Sequence, residues 1–204
     1  MAVDTAFLIT SFVTLFVIID PIGLMPIFIA FTPGMSAQQR RAVAFRSCII
    51  AFFILALFAF FGEAVLGFVG ISMAAFKIAG GVLLFLTALD MLFERRQERR
   101  EGRVTEVPDP SVFPLAIPMI AGPGSIATVI LLSGQIDGIQ GPILILGVAL
   151  AVMLVAVALF MAGNLLERAL GDIGINVVTR LLGMLLAALS IQFILDGLKD
   201  FGFV

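Results

Sequence analysis

The 204 residues include no histidine, tryptophan or tyrosine. A histidine proton relay, an imidazole metal site and a serine–histidine catalytic pair are therefore excluded within the chain. Phenylalanine is the only aromatic type, so the usual Trp/Tyr belt at a membrane surface is missing. A single cysteine, Cys48, rules out an internal disulfide and leaves the redox compartment open. Charge is scarce: 13% of residues, with a net value of −2, which gives no basis for a nucleic-acid partner. No Lys or Arg precedes the first apolar run, so that run reads as a retained helix and not as a cleaved signal peptide.

What is present is apolar sequence, 61% of the chain. Six runs are long enough to span a bilayer, at about 7–31, 46–69, 71–93, 112–134, 141–166 and 174–197. The fold class that follows is an all-α membrane protein of six transmembrane helices, with the lipid bilayer as its solvent and no separate soluble domain. Basic residues fix its orientation. Arg40, Arg41 and Arg46 fall between the first two runs; Arg95, Arg96, Arg99, Arg100 and Arg103 fall between runs three and four; Arg168 follows run five. The opposite loops carry only Glu63 and Asp137. Cytoplasmic loops are enriched in Lys and Arg, so both termini are expected on the outer, periplasmic side. The stretch 94–111 reads as a solvated cytoplasmic linker between residues 1–93 and 112–204; lipid binding is its sharper reading.

The chemistry concentrates at Asp20-Pro21, inside the first run. Asp20 lies 13 residues beyond Phe7, roughly 20 Å along a helix. A carboxylate at that depth is costly and marks a functional site by default. Pro21 cannot donate to the carbonyl of Val17, and Gly23 and Pro26 weaken the next turn. The fourth run is equally unhelical: Pro114, Pro118, Pro123, Gly122 and Gly124 all fall within it. The two sites correspond. Ile19-Asp20-Pro21-Ile22-Gly23 matches Ala121-Gly122-Pro123-Gly124-Ser125 at an offset of 102, and Phe76-Lys77-Ile78-Ala79-Gly80 resembles Thr179-Arg180-Leu181-Leu182-Gly183 at 103. Each half holds three runs, an odd number, so the second repeat is inverted relative to the first. Paired interrupted helices in inverted repeats point to a midplane binding site.

After each break a half-helix begins with proline, the favoured first helical position. Both N-termini present free N–H groups and a partial positive charge to the midplane, a setting that binds anions. The expected site therefore consists of Asp20, Pro21, Gly23, Gly122, Pro123, Gly124, Ser125 and Thr128. The amides of Gly124, Ser125 and Ile126 and the Ser125 hydroxyl would hold a carboxylate. Asp20, whose repeat partner is only Gly122, would hold an ammonium group or a coupling cation. A small zwitterion fits this asymmetry. The plain structural alternative is that Asp20 only caps its own half-helix and that the Pro/Gly residues are packing kinks. Lys77 and Arg180 read as snorkelling anchors, with gating as their functional alternative; Asp90 and Asp196 read as interfacial.

At Asp20-Pro21-Ile22-Gly23-Leu24-Met25-Pro26-Ile27-Phe28, Phe76-Lys77-Ile78-Ala79-Gly80-Gly81 and Phe113–Ile126 the chain resembles the MarC family of integral membrane proteins. That family includes SnatA-type transporters of small neutral amino acids. The resemblance implies six helices, a plasma-membrane location and substrates the size of glycine, alanine or serine. The expected function is secondary transport by alternating access, with a proton or sodium ion as coupling ion and no other cofactor or metal. The alternatives are an exporter of another small solute and a scaffold or regulatory protein of the same fold without transport. No enzyme is expected, because Ser125 has no base and Asp20 no second acid at its depth.

Overall fold

The computed structural model describes residues 5–93 and 109–202. The 94–111 linker lies outside the described residues except for its last three positions. Among the described residues every regular element is a helix. α1 (Thr5–Ile19) and α2 (Pro21–Phe31) form one span. α3 (Ala37–Val69) and α4 (Met73–Leu92) follow. α5 (Ser111–Ile120) and α6 (Pro123–Ser133) meet at 55°. α7 (Gln140–Asp200) leaves helical geometry at Gly171, where φ is 61° and ψ 173°. That conformation is essentially open only to glycine. It divides α7 into two spanning arms, Gln140–Gly163 and Ile173–Asp200. Five helices are thus long and apolar enough to cross a membrane, and the bent pair α5–α6 has the apolar length for a sixth if it is one span.

The ends of these helices follow from local chemistry. Ser36 Oγ accepts from Gln39 N at 3.3 Å, and Gln39 Oε1 accepts from Ser36 N at 2.8 Å, a reciprocal capping box. This cap starts α3 at Ala37, about two turns before its apolar run. Arg40, Arg41 and Arg46 accordingly lie on the opening turns of a helix, where a loop was expected. The Arg40 guanidinium donates to the Thr32 carbonyl at the end of α2. Arg46 pairs with Asp109 at 2.6 Å, tying the start of α3 to the entry of α5. Asp109 also accepts from the Ser111 hydroxyl at 2.5 Å and the Ser111 amide at 3.0 Å. Those two bonds, with the Arg46 charge, hold its carboxyl below the usual carboxylate range.

Close helix packing rests on glycines. A Cβ on Gly62 of α3 would stand 2.5 Å from Ile130 Cγ1 of α6, and one on Gly163 of α7 would stand 3.2 Å from Ile29 Cδ1 of α2. Gly62 and Gly163 are 101 positions apart, and so are Ile29 and Ile130. A second pair behaves alike. A Cβ on Gly81 of α4 would lie 2.8 Å from the Ser190 carbonyl of α7, and one on Gly183 of α7 would lie 3.3 Å from the Ala88 carbonyl of α4. Here both separations are 102. α4 and the second arm of α7 run antiparallel along this seam. Phe28 and Phe160, both buried, stack at 4.7 Å between α2 and the first arm of α7. Small residues at such seams replace the hydrophobic drive that lipid does not supply between helices.

Candidate functional site

Asp20 is the one described non-glycine residue with positive φ (φ 53°, ψ 62°), and it is 1% exposed. Left-handed backbone is unusual outside glycine, and Asp is among the side chains that tolerate it. Its carboxylate Oδ1 accepts from the Gly23 amide at 3.0 Å, so Asp20 caps α2 directly ahead of Pro21. The ladder is interrupted for only about one turn. Asp20 N still donates to Phe16 O, and Leu24 N to Asp20 O, each at 2.9 Å. This explains why α1 and α2 stay in line as one span. Gly23 is required for a spatial reason: a Cβ there would overlap the Asp20 carboxylate.

The corresponding junction at Gly122 is built differently. Gly122 is extended (φ −93°, ψ 173°) and has no side chain with which to cap α6. The cap comes from within the helix. Ser125 Oγ accepts from Gly122 N at 2.9 Å and lies 2.7 Å from the Ile120 carbonyl and 3.0 Å from the Gly122 carbonyl, either of which takes its proton. The segment before it, α5, is wound with five-residue bonds, from Leu115 N to Pro110 O and from Ala121 N to Ala116 O. Phe113 and Ile117 are extended within it, and the peptide bonds from each to the following proline are cis. A Cβ on Gly122 would overlap the Pro118 carbonyl, so this turn closes only over glycine.

These bonds narrow the expected donor set. The Ile126 amide is engaged by the Gly122 carbonyl at 3.0 Å, and the Ser125 hydroxyl serves its own turn. Pro123 has no N–H. Helix geometry leaves the Gly124 and Ser125 amides as the donors at this end. Thr128, fully buried, donates to the Gly124 carbonyl at 2.8 Å, one turn back in its own helix. The two junctions adjoin through Ile18: a Cβ on Gly124 would meet Ile18 Cγ2 at 3.4 Å, Leu84 Cδ2 at 3.6 Å and Thr87 Oγ1 at 3.8 Å. Thr87 was not singled out from the sequence, although it is the only hydroxyl between Lys77 and Asp90. Lys77 is elsewhere: its Nζ pairs with the Asp200 carboxylate at 2.5 Å, joining the start of α4 to the end of α7. Arg180 lies on the second arm of α7, exposed.

A bundle of apolar helices of spanning length, with a carboxylate and helix-end amides buried inside it, defines a multi-pass integral membrane protein. The chain belongs to the MarC family of integral membrane proteins, which it matches over residues 5–201. It is 37% identical over 203 residues to the UPF0056 membrane protein YvbG of Bacillus subtilis, covering 95% of each chain. It is 37% identical over 201 residues to the UPF0056 membrane protein MJ1677 of Methanocaldococcus jannaschii, covering 96% of this chain and 98% of the relative. To the UPF0056 inner membrane protein YhgN of Escherichia coli it is 34% identical over 195 residues, covering 94% and 96%. No solved structure gives a significant match.

Proposed function

We propose that this protein is a secondary transporter of small neutral amino acids, built as two inverted three-helix repeats around interrupted first and fourth spans. The observation that carries the reading is the pairing of unlike helix ends. α2 begins behind a buried carboxylate and α6 behind a bare glycine, and the two junctions adjoin through Ile18 and Gly124. An ammonium group is matched by Asp20, and a carboxylate by the Gly124 and Ser125 amides at a positive helix end. The repeat is supported by the reciprocal glycine seams. A contact between positions i and j of the two halves recurs with its partners exchanged, as a two-fold axis requires. That the Escherichia coli relative YhgN is an inner membrane protein by name supports an inner-membrane location.

A specific observation also favours the reading without transport, as a scaffold or regulatory protein. Asp20, Ser125 and Thr128 each bond within their own turn. Purified protein in liposomes, screened with labelled glycine, alanine and serine under imposed proton and sodium gradients, separates the two. Gradient-dependent accumulation is expected, with no competition from amino-acid amides, which lack the carboxylate. Accumulation of none of the three, or equal competition by amides, would remove the zwitterion site.

Orientation is tested separately. The Arg-rich opening of α3 supports a cytoplasmic position for that end and, with α5 and α6 counted as one span, both termini outside. Cysteines introduced at positions 2 and 202 of a Cys48→Ala background should react with an impermeant thiol reagent added outside intact cells. Reaction only after the membrane is opened would reverse the topology.

A further inference from the structure

A polar cavity of about 330 Å³, lined by neither the Asp20 nor the Gly122 junction, lies along α3 and α6. It opens at the end of the bundle opposite the Arg46–Asp109 pair, between the last turns of α3, the C-terminal end of α6 and the start of α7. Its position follows from the Gly62 seam: with no side chain at Gly62, α3 closes on Ile130, and the next residue, Glu63, reaches the cavity wall. Across from α3 stand Ser133 and Gly134, where α6 ends. Gly141 packs so tightly over the Ser133 and Ile136 carbonyls that a Cβ there would overlap them, which fixes the turn into α7 around the cavity.

Three features of the lining share one sign. Glu63 is a carboxylate. The end of α6 carries the negative pole of its helix; the Leu132 and Ser133 carbonyls there each accept one turn bond, from Gln135 N at 3.2 Å and Ile136 N at 3.5 Å, and keep a second lone pair. Ser133 Oγ, on a residue 5% exposed, has no hydrogen-bond partner, although buried hydroxyls are ordinarily satisfied. Elsewhere in the bundle the buried hydroxyls of Thr14, Thr32, Ser47 and Thr128 each bond to a carbonyl one turn back; those of Ser11 and Thr179 also lack a partner, but neither lines this cavity. No Lys or Arg lines the cavity, and Asp137 sits in the turn between the lining residues Ile136 and Gly138.

From this lining we infer a binding site for a monovalent cation, with Glu63 as counter-charge and the Ser133 hydroxyl and α6 carbonyls as oxygen ligands. An anion would meet a carboxylate and a helix C-terminus with no positive group to offset them. A divalent ion ordinarily draws on more carboxylates than this, and no group of three acids gathers among the described residues. The volume exceeds that of a bare ion, so the occupant is a partly hydrated alkali ion or the ammonium head of a small molecule. The site does not rest on the transport reading, since it shares no residue with the Asp20 junction.

The test is equilibrium binding on the full chain in detergent, read as the unfolding midpoint. Cys48, buried in the fold, supplies the signal, because a thiol-reactive dye labels it on unfolding. Sodium chloride and methylammonium chloride are titrated against choline chloride at equal ionic strength. A saturable rise with at least one of the two is expected. Glu63→Gln should raise the half-saturating concentration about tenfold or more. Ser133→Ala should raise it less while leaving the midpoint in choline unchanged or higher, because it removes an unpaired buried hydroxyl. A response to sodium alone identifies an alkali-ion site, and one to methylammonium alone an ammonium site. No rise with either salt, or curves unmoved by both substitutions, overturns the inference. Because no transport is measured and Asp20 is intact, failure here is distinguishable from failure of the proposed function.

Discussion

Replacing Asp20 with asparagine is expected to abolish gradient-driven accumulation of substrate and to leave the protein folded. Asparagine keeps what the backbone needs at this position. It tolerates the left-handed conformation that Asp20 adopts, and its side-chain oxygen can accept from Gly23 as the carboxylate does. What it removes is the charge. Alanine would remove more: the cap, about 1 kcal/mol, and the tolerance for positive φ, roughly another 1–2 kcal/mol. Glycine relieves the backbone and loses the charge. The informative comparison is therefore Asp20→Asn and Asp20→Gly against Asp20→Ala, with thermal stability and liposome uptake measured on each. If Asp20 is only a cap, uptake should follow stability, and Asp20→Asn should retain it. If Asp20 carries an ammonium group or a coupling ion, all three should lose accumulation whatever their stability.

The second large effect is expected at Gly122. A Cβ there meets the Pro118 carbonyl, a backbone atom that cannot swing aside. Gly122→Ala should open the turn between α5 and α6, break the bonds that Ser125 makes to Gly122 and Ile120, and reduce the yield of folded protein severely. Overpacking of this kind costs about 1–3 kcal/mol before the lost hydrogen bonds are added. Gly124, two residues on, is the control. Its Cβ would find Ile18, Leu84 and Thr87 at 3.4–3.8 Å, ordinary contact distances. Gly124→Ala should fold, and should reduce uptake by filling space at the helix end. Equal folded yield and equal midpoints for the two variants would mean that the turn is not closed as described.

Much of the architecture was legible because lipid imposes simple rules. Five of the six apolar runs gave helices of spanning length and the fourth gave the bent pair α5 and α6, while proline at the first helical position marked where α2 and α6 begin. The boundary of α3 was missed because a scan for apolar runs passes over a charged opening turn, although the Ser36 and Gln39 spacing of a capping box is present in the sequence. The pairs Lys77–Asp200 and Arg46–Asp109 were not legible, because only the folded chain brings residues so distant in sequence together. The two junctions were read as equivalent, and in their backbones they are not. Asp20 is left-handed and leaves α1 and α2 in a single span, whereas Gly122 is extended and the chain turns there by 55°. Residue type identified both places, but the path of the chain was set by which side chain reaches which amide.

The exchanged glycine seams bear on energy levels as well as on shape. If the halves are related by a two-fold axis, each carries one notch and one knob at this seam: Gly62 with Ile29, and Gly163 with Ile130. A packing in which the first half takes the conformation of the second, and the second that of the first, would make nearly the same contacts with the roles exchanged. Two such arrangements are close to degenerate, separated only by the positions at which the repeats differ. Ligand binding shifts such an equilibrium only by its differential affinity for the two states, so a small gap is what allows a weakly held solute to tip it. The sequence differences between the halves, with Asp20 opposite Gly122 foremost, then act as the bias on a nearly balanced pair of states.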